Sequence, residues 1–133
     1  MKRGFTLIEL LAVIVILAII ALIATPIILG IINDARHSAK ERSAELVYTG
    51  VEYAYTTSLY KNTTGTVLAE PTVEDLKANL QVDNVKETSI TDGVLTIVTD
   101  DAVTCTVTKV ATGWEVACPD YLDAAVIKTI ATN

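Results

Sequence analysis

Residues 5–32 read FTLIELLAVIVILAIIALIATPIILGII, and this stretch decides the fold of the first part of the chain. Of its 28 residues, 23 are apolar and only Glu9 is charged. Residues 10–32 carry no charge, and as an α-helix they rise about 34 Å, enough to cross a hydrocarbon core of about 30 Å. A helix buried in a water-soluble protein rarely stays apolar on every face for this length. The pattern therefore predicts a membrane-spanning helix.

The charges on either side of this helix predict its orientation. Lys2 and Arg3 precede it, whereas Asp34 and Arg36 follow it. The positive-inside rule places the N-terminus in the cytoplasm and the rest of the chain outside, as in a single-pass membrane protein. The run exceeds the roughly 7–15 apolar residues of a secretory signal, and no A-x-A-like site follows it, so it differs from an ordinary secretory signal.

The rest of the chain is acidic and poor in catalytic side chains. Of the 133 residues 51% are apolar, and the net charge is −6. From residue 33 onward, 15 Asp and Glu stand against 8 Lys and Arg, which argues against nucleic acid as a partner. The sole histidine, His37, excludes most metal sites and Ser-His-Asp triads. We expect His37 to be a solvated helix residue, and we expect no enzymatic activity, cofactor or metal.

Residues 4–9, GFTLIE, carry the most specific signal in the sequence. Gly stands before Phe, Thr follows, and Glu lies four residues after Phe, between a short basic leader and an apolar helix. This string resembles the cleavage and methylation site of type IV prepilins and of the related type II secretion pseudopilins. The resemblance continues through residues 10–21, includes Pro26, and covers roughly residues 1–50.

The resemblance implies roles for three residues. A membrane-bound prepilin peptidase would cut between Gly4 and Phe5 and methylate the new amine on Phe5. Glu9 would attract the N-terminal amine of a neighbouring subunit during filament assembly. Opposite charges attract more strongly in a low-dielectric bundle than in water, and an unpaired Glu9 would be penalised there. Glu9 would therefore select the register in which subunits dock. The competing interpretation places Glu9 at the membrane interface, beside the lipid headgroups.

Two residues weaken the apolar helix. Pro26 removes one amide donor and frees the carbonyl of Leu22, so we expect a kink near Pro26, with Gly30 as a second weak point. The alternative is a tolerated proline, which is common in membrane helices. The resemblance adds that related filaments lose helical order around the matching proline, which makes them extensible.

Residues 33–60 contain no proline and continue the helical pattern with two stripes. We expect the bulkier stripe to carry the C-terminal domain; it consists of Ala44, Val47, Val51, Tyr55 and Leu59. The second stripe has mostly small residues, which would allow close packing against neighbouring subunits; it consists of Ala35, Ala39, Leu46, Gly50 and Ala54. The alternative places both stripes under the chain's own domain.

The C-terminal part predicts a short helix followed by antiparallel strands. The helix starts at Thr72. Residues 85–91 and 94–99 flank Asp92-Gly93, a strong hairpin signal. The resulting register places Ile90 opposite Leu95.

A third and a fourth strand run through Cys105 and Cys118. A four-residue loop over residues 110–113 would place Lys109 opposite Trp114 and the two cysteines opposite each other, at bridging distance. We therefore expect a disulfide that contributes about 3 kcal/mol by the chain-entropy model. The alternative is a pair of buried free thiols, and without a C-x-x-C motif catalytic redox chemistry is not expected. Residues 121–133 form a weakly amphipathic tail with no predicted structure.

The predicted fold class is α+β, with a long N-terminal helix packed against a small antiparallel sheet of about four strands. Four segments are expected: a leader over residues 1–4, a membrane and filament-core helix over 5–32, an exposed amphipathic helix over 33–61, and a globular sheet domain over 62–133.

The predicted function is that of a type IV pilin-like structural subunit, which polymerises with identical or related copies into an extracellular filament for adhesion, motility or surface interaction. The resemblance implies the cell membrane as its location before assembly and the extracellular pilus afterwards, with the prepilin peptidase and an inner-membrane assembly platform as partners. One alternative is a pseudopilin of a type II secretion or DNA-uptake machine, where any link to nucleic acid would be indirect. The other is a monomeric signal-anchored surface protein.

Overall fold

A computed structural model describes residues 4–62, 69–119 and 128–131, the last four by their backbone alone. The chain divides into two compact units, Met1–Arg36 and His37–Asn133, which we call unit 1 and unit 2. The elements in chain order are two helices, α1 (Leu7–Lys61) and α2 (Val73–Asn79), and five strands, β1 (Val85–Thr91), β2 (Val94–Thr99), β3 (Thr104–Val110), β4 (Gly113–Ala117) and β5 (Lys128–Ala131).

Unit 1 consists of an extended start and the first part of α1. The helix begins at Leu7, two residues later than the sequence predicted, because Thr6 acts as its N-terminal cap. Of the described side chains in this unit, only Ala24 is partly buried, and all others are exposed. Residues 4–36 of unit 1 therefore form their helix from local backbone hydrogen bonds and bury no core among themselves.

Helix α1 continues without a break through Pro26. The hydroxyl of Thr25, the residue before the proline, donates to the Ala21 carbonyl at 2.6 Å. Hydroxyl bonds of this kind often accompany bends in helices. This one reaches the Ala21 carbonyl, whereas the carbonyl that loses its helical donor to Pro26 is that of Leu22. The kink near Pro26 and the weak point at Gly30 stay predictions.

Unit 2 contains a five-stranded antiparallel sheet with the strand order β1-β2-β3-β4-β5. The β1–β2 turn uses Asp92 at φ 53° and Gly93 at φ 76°, the pair of positive values that a tight two-residue hairpin requires. Ile90 lies opposite Leu95, as predicted. The α+β fold class is confirmed.

The β3–β4 pairing also has the predicted register, with Lys109 opposite Trp114. Val110 pairs with Gly113, so the predicted four-residue loop is a two-residue turn at Ala111 and Thr112. The register survives because shortening the turn by one residue on each strand leaves every cross-strand pair unchanged. Strand β5 lies in the predicted tail and pairs with β4; the rest of that tail, residues 121–127 and 132–133, lies outside the described residues.

The core of unit 2 lies between the sheet, α2 and the part of α1 that belongs to this unit. From the bulkier stripe of α1, Ala44, Val47, Val51 and Tyr55 are buried and Leu59 is partly buried. The stripe therefore carries the domain, as predicted. The opposing residues that are almost fully buried are Leu76, Leu95, Ile97, Val103, Val107, Trp114 and Val116.

The small-residue stripe divides between two environments. Gly50 and Ala54 are buried within unit 2, whereas Ala35, Ala39 and Leu46 are exposed. A Cβ added at Gly50 would clash with the Val82 side chain and lie 3.3 Å from the Gln81 carbonyl oxygen. Gly50 therefore serves the chain's own fold, because the segment before β1 crosses α1 at this position.

Helix α2 begins with a capping box at the predicted position. Thr72 is its N-cap, and the Asp75 side chain accepts from the Thr72 backbone N–H at 2.9 Å. Asn62, after the end of α1, donates to the same carboxylate oxygen at 3.0 Å. The hydrogen bonds from Thr72, followed by the one from Asn62, lower the pKa of Asp75 below its ordinary value. One carboxylate thus joins the end of α1 to the start of α2.

Candidate functional site

Gly4 and Phe5 lie in a non-helical segment before α1. The Phe5 side chain is 82% exposed. A Cβ added at Gly4 would meet no atom within 4 Å, and Gly4 does not have a positive φ. Nothing in the described fold of this chain therefore requires glycine at position 4, in contrast to Gly50.

Thr6 and Glu9 together form the start of α1. The Thr6 carbonyl accepts from the Leu10 backbone N–H at 3.2 Å, and the Thr6 hydroxyl oxygen accepts from the Glu9 backbone N–H at 3.3 Å. The hydroxyl also lies 3.4 Å from the Glu9 carboxylate, to which it can donate. These contacts place Thr6 at the N-cap position: the Glu9 N–H, which belongs to the first turn, is shared between the Thr6 hydroxyl and the Thr6 carbonyl, the latter at 3.1 Å.

Glu9 occupies the first turn of α1, where a negative charge is favoured by the helix dipole. Its carboxylate is exposed and forms no ion pair within residues 4–62, 69–119 and 128–131. The apolar side chains around it on the helix are also exposed, among them Ile8 at 76% and Leu10 at 57%. The site thus presents one negative charge at the edge of an apolar surface.

In the described part of the chain, one helix, α1, is long and apolar enough to cross a membrane, as judged by its length and composition. Its most apolar stretch has a mean hydropathy of 3.2, and none of that stretch is buried inside the chain. A core helix of a water-soluble protein can match the length and the hydropathy, but it would be buried. An N-terminal signal sequence would also be apolar and unburied, so the length of the run and the residues that precede it carry the distinction.

Cys105 and Cys118 form the predicted disulfide. Their Cα atoms are 4.2 Å apart, and the two residues are 0% and 3% exposed. The bond joins β3 to the residue that follows β4, on the side of the sheet that faces the core. Its burial favours a structural role in unit 2, distinct from the features at the start of α1.

His37, the sole histidine, is exposed on α1. Among the residues that the structure describes, no group of three or more His, Cys, Asp or Glu side chains could hold a metal ion.

Sequence reasoning named Gly4, Phe5 and Glu9 but missed the capping role of Thr6. The missed signal is the spacing of Thr6 and Glu9, which is the T-x-x-E pattern of a capping box. In the structure the donor to the carboxylate is the Thr6 hydroxyl, so the box is formed only in part. These residues and Thr6 all lie within positions 4–9, on either side of the residue at which α1 begins.

The comparison with known proteins also points to the residues at the start of α1. Residues 1–25 match the family model described as the prokaryotic N-terminal methylation motif. No curated protein and no solved structure is significantly similar to the chain. The motif covers the basic leader, Gly4, Phe5, Glu9 and the first turns of the apolar helix, so the chain carries at residues 1–25 the prepilin signal of type IV pilins and pseudopilins.

Proposed function

We propose that the chain is the precursor of a structural subunit that is trimmed, methylated and polymerised into a filament. The methylation motif indicates a type IV pilin-like or pseudopilin precursor, and it points to a structural subunit. The observation that carries the finer proposal is the motif directly followed by the first part of α1, residues 7–32, whose large apolar side chains are all exposed. Such a surface needs lipid or other subunits to cover it.

The first step is hydrolysis of the peptide bond between Gly4 and Phe5. One water is consumed, a carboxylate forms on Gly4, and a free amine forms on Phe5. A methyl donor then transfers one methyl group to this amine, which loses a proton. The exposure of Phe5 and the open space around Gly4 support access by a membrane-bound peptidase.

The second step is docking through Glu9. The new amine on Phe5 is positively charged near neutral pH, and Glu9 lies four residues further along an otherwise uncharged apolar surface. Within one apolar bundle, a Glu9 carboxylate without a cation would carry a large desolvation penalty. Pairing with the amine of a neighbouring copy offsets part of that penalty and selects a single register.

The helix and the motif fit a membrane-anchored precursor. We propose that residues 5–32 lie in the cell membrane before assembly and in the filament core afterwards, and that residues 33–61 and 62–133 lie outside. The orientation follows from Lys2 and Arg3 at the cytoplasmic end. An inner-membrane assembly platform would extract the subunit from the bilayer.

Mass spectrometry of the mature protein tests the processing step. When the full chain is expressed with a prepilin peptidase, we expect loss of residues 1–4 and one added methyl group on Phe5. A Gly4→Val variant is the matched control and should keep its leader. Its Cβ meets no atom of the described chain, but the side chain obstructs close approach of the peptidase to the backbone. An intact leader on the wild-type protein would contradict the proposal.

A Glu9→Ala variant tests the docking step. We expect filaments to be lost while cleavage, membrane insertion and the fold of unit 2 are retained. Glu45→Ala, which removes an exposed acid elsewhere on α1, is the control and should assemble like the wild type. Assembly of Glu9→Ala at the wild-type level would favour a simple membrane anchor.

A pseudopilin requires the same processing and the same helix, so the motif favours neither kind of filament. Electron microscopy of cells separates the two. Long surface filaments that contain this chain indicate a pilin, and short envelope-bound assemblies indicate a pseudopilin.

A further inference from the structure

The peptide bond between Gly4 and Phe5 lies just outside α1. The first carbonyl that accepts a helical hydrogen bond in the described chain is that of Thr6, from Glu9 and Leu10. The carbonyl of Gly4 is therefore two residues upstream of the helical ladder. A peptidase needs access to this carbonyl carbon, and a carbonyl engaged in a helix is less accessible than one in an extended segment.

The sequence around Gly4 offers a second place for the helix to start. Glycine is itself an acceptable N-cap, only slightly poorer than the best residues. A helix capped by Gly4 would begin at Phe5 and would include the bond that has to be cut. The structure shows the later start, in which the Thr6 hydroxyl bonds to Glu9. A start at Phe5 would make Thr6 a residue of the first helical turn, and its hydroxyl would no longer be the cap.

We propose that Thr6 is a positioning residue for processing: its hydroxyl caps α1 at Leu7 and thereby holds the Gly4–Phe5 bond in extended, accessible chain. This inference rests on the proposed function, since it assigns Thr6 a task in the same cleavage. Position 4 gives independent support, because no atom of the described residues lies within 4 Å of a Cβ added at Gly4. The small residue there serves an approaching partner, and Thr6 keeps that approach open.

The test compares four variants of the full-length precursor in detergent micelles, cut by a purified prepilin peptidase. Thr6→Ala and Thr6→Val remove the capping oxygen, whereas Thr6→Ser and Thr6→Asn retain a side chain that caps. We expect Thr6→Ala and Thr6→Val to be cleaved about two- to five-fold more slowly than the wild type, with a higher KM and an unchanged kcat. The reason is that the peptidase binds only the precursor in which the Gly4–Phe5 bond is extended, and these variants populate that form less. Ser and Asn should restore the wild-type rate.

A second readout follows the helix start directly. The Cα chemical shifts of Phe5 and residue 6, measured by NMR in the same micelles, should move toward helical values in Thr6→Ala and stay at wild-type values in Thr6→Asn. Cleavage of Thr6→Ala at the wild-type rate would overturn the inference. So would rescue by Ser alone, since it would mean that the peptidase recognises the hydroxyl itself.

The failure of the proposed function gives a different result. If the peptidase leaves the wild-type precursor intact, the proposed processing is wrong, and the NMR comparison still decides whether Thr6 sets the start of α1.

Discussion

The two units of this chain treat apolar side chains in opposite ways. In unit 1, Leu17 is 59% exposed and Ile19 is 54% exposed, whereas Leu95 and Ile97 in unit 2 are fully buried. Unit 1 is nevertheless the more apolar of the two. The difference shows that hydrophobicity alone does not build a core, because a single helix has no second layer against which to pack.

The contrast also separates two sources of stability. Unit 2 buries its apolar surface within one chain, so its unfolding can be measured on the isolated subunit. Unit 1 satisfies its backbone polar groups along its own helix, and it gains from burial only when lipid or other copies surround it. Substitutions in the two units should therefore be detected by different measurements.

The largest expected effect comes from a core deletion in unit 2. Leu95→Ala should lower the free energy of unfolding by about 2–5 kcal/mol, since it removes a fully buried side chain and leaves a cavity. Fluorescence of Trp114, the sole tryptophan and 1% exposed, reports this transition in urea. Ile19→Ala is the matched change in unit 1 and should leave the transition unchanged. Equal effects would break the distinction between the two units.

Loss of the disulfide should have the next largest effect. Replacing both Cys105 and Cys118 by alanine should lower the free energy of unfolding by about 3 kcal/mol, because the bond closes a loop with a sequence separation of 13. Reductant should destabilise the wild type by a similar amount and leave the double variant unaffected. A response of the double variant to reductant would contradict this explanation.

A pair of glycine substitutions sharpens the comparison within one helix. Gly50→Ala should destabilise unit 2 by about 1–3 kcal/mol, since the new Cβ clashes with Val82. Gly30→Ala meets no atom within 4 Å and should stabilise its part of α1 by about 0.5–1 kcal/mol. Urea unfolding measures the first effect, and slower backbone amide exchange around residue 30 measures the second. Faster exchange in Gly30→Ala would show that the glycine is needed there.

The smallest expected effect is a pH dependence at Asp75. Its pKa is lowered in the folded protein by hydrogen bonds from Thr72 and Asn62, so the stabilisation is present above the ordinary carboxyl pKa of about 3.9. It is lost as the pH falls through the folded pKa, below that value. Unfolding free energies from about pH 6 to about pH 2 should therefore fall more steeply in the wild type than in Asp75→Asn. Parallel curves would rule out this contribution.

Much of unit 2 was predictable because its signals are local. Asp92-Gly93 predicts a tight hairpin by its backbone preferences alone, and the register of β1 with β2 follows from that turn. The β3–β4 register and the disulfide were predicted despite a wrong loop length, since pairing depends on the positions of the two strands. Strand β5 was missed because the strand it pairs with, β4, ends more than ten residues earlier in the chain.

The start of α1 shows the limit of pattern reading. The motif and the Thr6–Glu9 spacing leave both Phe5 and Leu7 possible as the first helical residue. The structure shows the start at Leu7, with the Thr6 hydroxyl bonded to Glu9. The two stripes on α1 show the same limit, because Gly50 could face a neighbouring copy or the chain's own Val82 until the path of residues 80–83 was known.

By itself the sequence determined the apolar helix, the prepilin signal and the antiparallel hairpins, since each depends on residues close together in the chain. Only the tertiary structure decided which glycine is needed for packing and where the fifth strand pairs. Both depend on contacts between segments that are distant in the chain, and a local pattern of residue types does not encode such contacts.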